Sequence, residues 1–406
     1  MTPIYVSLAR LRTPWTRKNF HEPPTSINDA LNPIIMKKLT SLTSLLAAVV
    51  LLVSCAATPT PKTQDNYTFT KYVSGIEVPW GMDWLSTGEL LVTDRSGILY
   101  VVKEGEIVSS FSQALDDIYA ERQGGFLDVQ VHPNHAENGW IYFSYSSSSG
   151  EGEGANTAVI RARLGANGLE DVETLYKATP NSTRGQHYGS RLEFGTDGTL
   201  YFTIGDRGNR DVNPQNLSID GGKVYRINDD GSIPEDNPFV GQDGAIEAVY
   251  SYGHRNQQGM ERHPLTGKMW AHEHGPRGGD ELNIIEPGKN YGWPVISYGI
   301  NYNGTPFAQD TVREGMEQPI QYWVPSIAPS GMSFVTSDRY PDWNGHLLVG
   351  SLKFGMVELL RLDGDRVVSR EEVLQGIGRV RSLKQGPDGY IYVGVTGQGI
   401  FRVEGV

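Results

Sequence analysis

The sequence contains one cysteine, Cys55, in 406 residues. An intrachain disulfide and a zinc–thiolate cluster are therefore excluded as supports for the fold. Long runs of helix formers are scarce, which argues against a helical protein. No dense basic stripe interrupts a chain of formal net charge −12, so nucleic acid is not an expected partner. The marked apolar run that ends at Val53 is short for a membrane span. What is abundant is glycine, at 48 residues, with 23 prolines, 20 tyrosines and 8 tryptophans. That composition favours many short strands joined by tight turns, and the length accommodates one large all-β domain.

The lone cysteine has a local explanation. Met36 opens MKKLTSLTSLLAAVVLLVSC: two lysines, an apolar run, then small Ser54 before Cys55. This is a secretory signal, and it resembles the bacterial lipoprotein signal in which the cysteine is lipidated and becomes the mature N-terminus. An ordinary signal peptide carrying a chance cysteine is the alternative. Residues 1–35 fit no targeting pattern and read as an extension from an upstream start. The expected division is 1–35 extension, 36–54 signal, 55–65 linker and 66–406 folded domain. The protein is expected to be exported to the periplasmic face. It would touch the bacterial outer membrane only through a lipid on Cys55.

Beyond residue 66 a hairpin recurs six times. The copies are WGMDWLSTGELLVTD (80–94), GGFLDVQVHPNHAENGWIYFSYS (124–146), YGSRLEFGTDGTLYFTIGD (188–206), QGMERHPLTGKMWAHEHG (258–275), SGMSFVTSDRYPDWNGHLLVGSL (330–352) and VRSLKQGPDGYIYVGVTG (380–397). Gly81, Gly125, Gly189, Gly259 and Gly331 hold the same place in the first five. Third-strand candidates GILYVV, GKVYRI and GIFRV follow three of them. Six small sheets, none able to bury itself alone, predict a six-bladed β-propeller, with YTFTKYV (67–73) completing the last sheet.

In a propeller, the residues before the first strand of each blade and after its second share one face. Gln123, His187, Arg255, Asn256, Arg379 and Arg381 stand before first strands, and Gly275, Pro276 and Lys353 follow second strands. One mouth thus collects an imidazole, four cations, two amides and a Gly-Pro backbone. Four cations around one opening repel one another unless a polyanion sits among them. His187, at the head of RGQHYGSRLEFGTDGTLYFTIGD (184–206), fits a general base. No second histidine accompanies it at ligand spacing, and His272 and His274 are expected to project elsewhere.

Several of these segments, in this order, resemble the soluble quinoprotein glucose dehydrogenase and aldose sugar dehydrogenase family. They are QGGFLDV, HYGSRLEFGTDGTLYFTIGD, YGHRNQQG, HEHGPRGGDELN, KNYGWP, SIAPSGM, SLKFG and RVRSLKQGPDGY. The resemblance covers roughly the whole chain after the linker. It implies a six-bladed propeller that uses pyrroloquinoline quinone and Ca2+ to oxidise an aldose sugar, passing electrons to a quinone or dye-like acceptor. By position, it implies that His187 is the catalytic base and that Gln123, Arg255 and Asn256 face quinone and substrate. Lys353, Arg379 and Arg381 would bind the cofactor's carboxylates, and Tyr302 would contact its plane. Gly275 and Pro276 would offer carbonyls to one calcium, and Glu281 and Tyr291 match a second. Gln186 stands where the glucose-oxidising relatives have an aspartate, and Tyr188 differs from them as well. The match is nearer to the aldose sugar dehydrogenase branch.

Two rival readings compete with this one. A calcium-dependent propeller lactonase would need several carboxylates at the axis, where this chain places cations. A non-catalytic binding propeller would have no need of His187 together with Lys353, Arg379 and Arg381.

Overall fold

The computed structural model describes residues 66–405. The leader, Cys55 and the linker lie outside that range. Nearly all of the regular secondary structure in the described chain is strand, and it forms six four-stranded antiparallel sheets, the six blades of a β-propeller. Blades one to five occupy residues 79–111, 126–177, 192–252, 257–323 and 329–373 in sequence order. Blade six joins both ends of the described chain. Tyr67–Val73 pairs antiparallel with Gly399–Gly405, Tyr67 opposite Gly405, outside strands Ile391–Val395 and Val380–Gln385. Tyr67 seals that closure against Trp343, with ring centroids 4.2 Å apart.

Burial follows strand position within each blade. Second strands such as Leu90–Asp94, Leu200–Ile204 and Ile391–Val395 are buried at every residue. They read as near-continuous apolar runs because both faces are covered by neighbouring blades. Outermost strands such as Glu106–Phe111 and Arg366–Val373 are mostly exposed. The apolar clusters lie between blades rather than within them. One joins Leu91 and Leu99 of blade one to Phe126 and Phe143 of blade two. Another joins Val335 and Leu348 of blade five to Val380 and Val393 of blade six. This is why one hairpin cannot fold alone and six can.

The recurring glycine has a packing reason. A Cβ on Gly81 would lie 2.8 Å from the Asp128 Cα on blade two, and one on Gly331 would lie 2.3 Å from the Leu383 nitrogen on blade six. First strands crowd one another around the axis, and only glycine lets the backbones approach. On the axis itself, Arg191 donates to the carbonyls of Gln258, Trp80 and Arg381 and pairs with Asp128 at 3.1 Å. One buried guanidinium thereby links its own blade to four others and forms the floor beneath the functional face.

Candidate active site

Three adjoining cavities open around the loops that lead into and out of the inner strands. The largest, about 450 Å³, is lined by Gln123, Asn256, Gln258, His274, Arg379 and Arg381, with Trp80 and Tyr188. Arg95 and Arg122 also line it, and among the described residues no carboxylate does. The second, about 250 Å³, is lined by His187, Asp206, Arg255, Pro276, Trp293 and Tyr302. A small third cavity lies beside Arg255 and is lined by Glu273, Gly275, Glu281 and Tyr291.

His187 occupies a left-handed backbone conformation, φ 59°, directly before Tyr188 and Gly189. Such a conformation costs a non-glycine residue about 1–3 kcal/mol and persists where its surroundings hold it. Here the His187 amide donates to Gln123 Oε1 at 2.8 Å, and the ring Nδ1 lies 2.6 Å from Asp206 Oδ1. Asp206 also accepts from the Gly208 amide at 2.7 Å and from Trp293 Nε1 at 2.9 Å. Those bonds and the neighbouring cations hold its carboxyl below the usual range despite burial. An ionised Asp206 fixes the proton on His187 Nδ1 and leaves Nε2 as the acceptor. Burial, and then the charge of Arg255, lower the imidazole pKa, so the ring is neutral near pH 7.

The cations differ in their placement. Arg255 donates to the His274 carbonyl at 2.9 Å and lies over the Trp293 ring. Arg379 donates to the Leu352 carbonyl at 2.8 Å. Arg381 is buried and bonds the Gln258 side chain, and its Nε has no partner among the described residues. Burial and the charges of Arg191, Arg379 and Arg95 press its pKa well below the ordinary value. A concentration of guanidinium groups around a cavity that no carboxylate lines among the described residues suits a polyanionic ligand. Lys353 is not among the residues lining any of these cavities; it is exposed, with Nζ 3.2 Å from the Ser326 carbonyl. Tyr302 sits on the rim and is 73 % exposed. The amide oxygen of Asn256 accepts from Gly189 at 3.2 Å, which ties blade four to the His187 loop.

The third cavity is acidic. Glu273 and Glu281 are direct partners on neighbouring strands. Glu273 is engaged by His254 and the Arg255 amide, while burial and the Glu273 charge push Glu281 well above the carboxylate range. A carboxyl in that state takes a proton or a cation. Gly275 donates its amide to Asp280 Oδ1 at 2.8 Å. Its two carboxylates, Glu273 and Glu281, are hard oxygen donors of the kind a divalent ion takes, and among the described residues no group of three or more metal-ligating side chains is formed.

Two residues missed in the sequence belong to this face. Asp206 stands two residues beyond the end of a second strand, the same position that singled out Gly275 and Lys353, so the repeat itself carried the signal. Gln186 is the chain neighbour of His187, yet the carboxylate that meets the ring comes from across the hairpin. His274 was expected to project elsewhere; it lines the largest cavity, with Nε2 2.6 Å from the Pro329 carbonyl. The reason is again register, since it follows the second strand of blade four.

A family profile described as Glucose / Sorbosone dehydrogenase matches residues 76–401. The chain is 40 % identical over 324 residues to aldose sugar dehydrogenase YliI of Escherichia coli K12, covering 78 % of this chain and 87 % of that one. It is 29 % identical over 355 residues to quinoprotein glucose dehydrogenase B of Acinetobacter calcoaceticus, covering 78 % and 72 %. The crystal structure of the soluble aldose sugar dehydrogenase of Escherichia coli in its apo form superposes with a TM-score of 0.78 at 36 % identity, covering 84 % of this chain and all of that one. The profile match spans nearly the whole propeller that carries these three cavities, and the chain belongs to the glucose/sorbosone dehydrogenase family of oxidoreductases.

Proposed function

We propose that this enzyme oxidises aldoses at the anomeric hydroxyl to lactones, with pyrroloquinoline quinone as cofactor. The observation that carries the reading is the His187 imidazole, tethered through Nδ1 to Asp206, beside an arginine-lined cavity that no carboxylate lines among the described residues. Relatives named as aldose sugar and quinoprotein glucose dehydrogenases support it. The three carboxylates of the quinone match Arg379 and Arg381, whose Nε lacks a partner among the described residues. Lys353, adjacent to the cavity-lining Leu352, would complete that clamp from blade five. Gln123, Arg255 and Asn256 would face quinone and sugar, and Tyr302 would cover the cofactor plane from the rim.

When bound, the quinone supplies a two-electron, hydride-accepting centre. The chain supplies orientation and the proton acceptor. Nε2 of His187 takes the hydroxyl proton as the anomeric carbon loses its hydride, so the sugar gives up two electrons and two protons and becomes the lactone. Asp206 stabilises the imidazolium so formed. Carbonyls of Gly275 and Pro276 would hold a calcium ion beside the quinone, and Glu281 with Tyr291 would hold a second, for which Glu273 adds negative charge. Electrons would leave to a quinone or dye-like acceptor.

Reconstitution decides the reading: apo-protein is titrated with pyrroloquinoline quinone with and without Ca2+, and dye reduction is followed across a panel of aldoses. Quinone that binds but is never reduced by any sugar would overturn the dehydrogenase assignment. The calcium proposal fails if binding and turnover are the same after chelation.

Export and lipidation at Cys55 are proposed on the leader alone. Expressed from Met36, the protein should partition with membranes, and Cys55→Ser should release it. A soluble, unlipidated wild type would refute the anchor.

A further inference from the structure

Asp206 orients the catalytic ring, but the ring hangs from a loop that is itself strained. His187, Gly189 and Ser190 all have positive φ, at 59°, 64° and 83°. The residue after Asp206 bears on that loop. Arg207 is 1 % exposed and, among the described residues, forms no ion pair. Its guanidinium lies 3.4 Å from the centroid of the Tyr188 ring. It donates to the Gln186 carbonyl, to the Arg184 carbonyl at 2.9 Å and to the Ala155 carbonyl of blade two at 3.1 Å. The planar fork thus holds backbone oxygens on the N-terminal side of His187 and the side chain on its C-terminal side. Burying a cation on neutral carbonyls is costly, and a lysine or an apolar residue there would serve packing alone. Only guanidinium offers a flat face for Tyr188 together with in-plane donors for three carbonyls.

We propose that Arg207 is a positioning residue that locks the 184–188 backbone so that the His187 imidazole presents Nε2 to the sugar. Two consecutive residues then have complementary roles: Asp206 holds the ring, and Arg207 holds the loop that carries it. The inference rests on the reading of His187 as the base.

Arg207→Met and Arg207→Lys test it. Long-range proton–nitrogen NMR of the apo-protein, with His187 assigned through His187→Ala, should show one fixed tautomer in wild type and averaged tautomers in Arg207→Met. Sugar-dependent quinone reduction at saturating sugar should fall about 100-fold, the scale of a misplaced reacting group, while quinone affinity stays within about twofold. The groups that face the imidazole are Asp206, which raises its pKa, and Arg255 and Arg207, which lower it. The acid limb of kcat/KM should therefore move to higher pH in Arg207→Met. Arg207→Lys should restore the limb, because it keeps the charge, without restoring the rate, because it lacks the fork. A Met variant with the wild-type tautomer and rate overturns the proposal. So does one that loses quinone affinity and rate together in step with a lowered Tm, which marks a merely structural arginine. If wild type reduces no quinone with any sugar, the base assignment falls, and the NMR comparison still decides whether Arg207 holds the ring.

Discussion

The loops leading into blade three and blade six face the same mouth and are built in opposite ways. The blade-three loop strains its backbone to present one neutral group, and side chains from blades two, three and four hold it there: Gln123, Asp206 and Asn256. The entry to blade six brings Arg379, just before the first strand, and Arg381, which falls inside that strand rather than before it, into the mouth with φ values outside the left-handed region, and these cations are tethered to one carbonyl and one amide oxygen. One loop contributes geometry and the other contributes charge. The lesson is that a base must be aimed to within a fraction of an ångström, whereas an electrostatic clamp works by accumulation.

The difference predicts separable defects. The largest concerns the base. His187→Ala should lower sugar-dependent quinone reduction by about 10²–10⁴-fold and leave quinone affinity nearly intact. Stopped-flow bleaching of bound quinone measures this, and a variant as fast as wild type removes His187 from the chemistry. Replacing Arg379 and Arg381 together by alanine should do the reverse. Quinone affinity should fall about 10²–10³-fold through lost charge-assisted hydrogen bonds, while the rate at saturating quinone changes little. Unchanged affinity on titration would make both arginines ordinary loop residues.

A finer test acts within the blade-three loop. Asp206→Asn should slow the chemical step about 100-fold and move the acid limb of kcat/KM to lower pH. The carboxylate raises the imidazole pKa, so its removal deepens the depression. Arg255→Met should move the limb the other way, because it removes the charge that pushes that pKa down. Limbs that move together, or not at all, would show that another group titrates in the rate.

The smallest effect is on stability and lies behind the mouth. His272 is fully buried, neither ring nitrogen has a partner among the described residues, and its pKa is lowered to about 3 by burial and the Arg191 charge. Unfolded histidine takes a proton near pH 6.5, so the unfolded chain binds more protons below that value. Stability is therefore full above about pH 6.5 and falls by about 1.4 kcal/mol per pH unit toward pH 3 from this residue alone. Urea unfolding of wild type and His272→Gln at pH 7 and 5 checks it. The pH dependence of the variant should be about 2 kcal/mol shallower over that interval.

Much of this architecture was legible in the residues. Six hairpins, five of them with a glycine in register, three third strands and the closing Tyr67–Val73 each appear where the repeat put them, because a strand that is buried on both faces must be written as a local apolar pattern. The cationic mouth was legible for the same reason: loop positions inherit their face from the repeat. Lys353 shows the limit of that rule. It follows a second strand, yet its side chain lies over the Ser326 carbonyl, outside the cavities. Position in a repeat assigns the backbone to a face, and rotamer and neighbours decide where a long side chain goes.

Sequence alone determined the number of blades, the closure and the face to which the candidate site residues belong, His187 among them, because these depend on short-range pattern repeated along the chain. Tertiary structure decided what surrounds that imidazole. The His187 ring is oriented by Asp206, 19 residues away, and its amide by Gln123, 64 residues away, while its loop is held by Arg207 with the Ala155 carbonyl of blade two. Hydrogen bonds of 2.6–2.8 Å between groups so far apart in sequence carry no periodic signature. They exist only once six blades have closed around one axis and brought their loops within reach of each other.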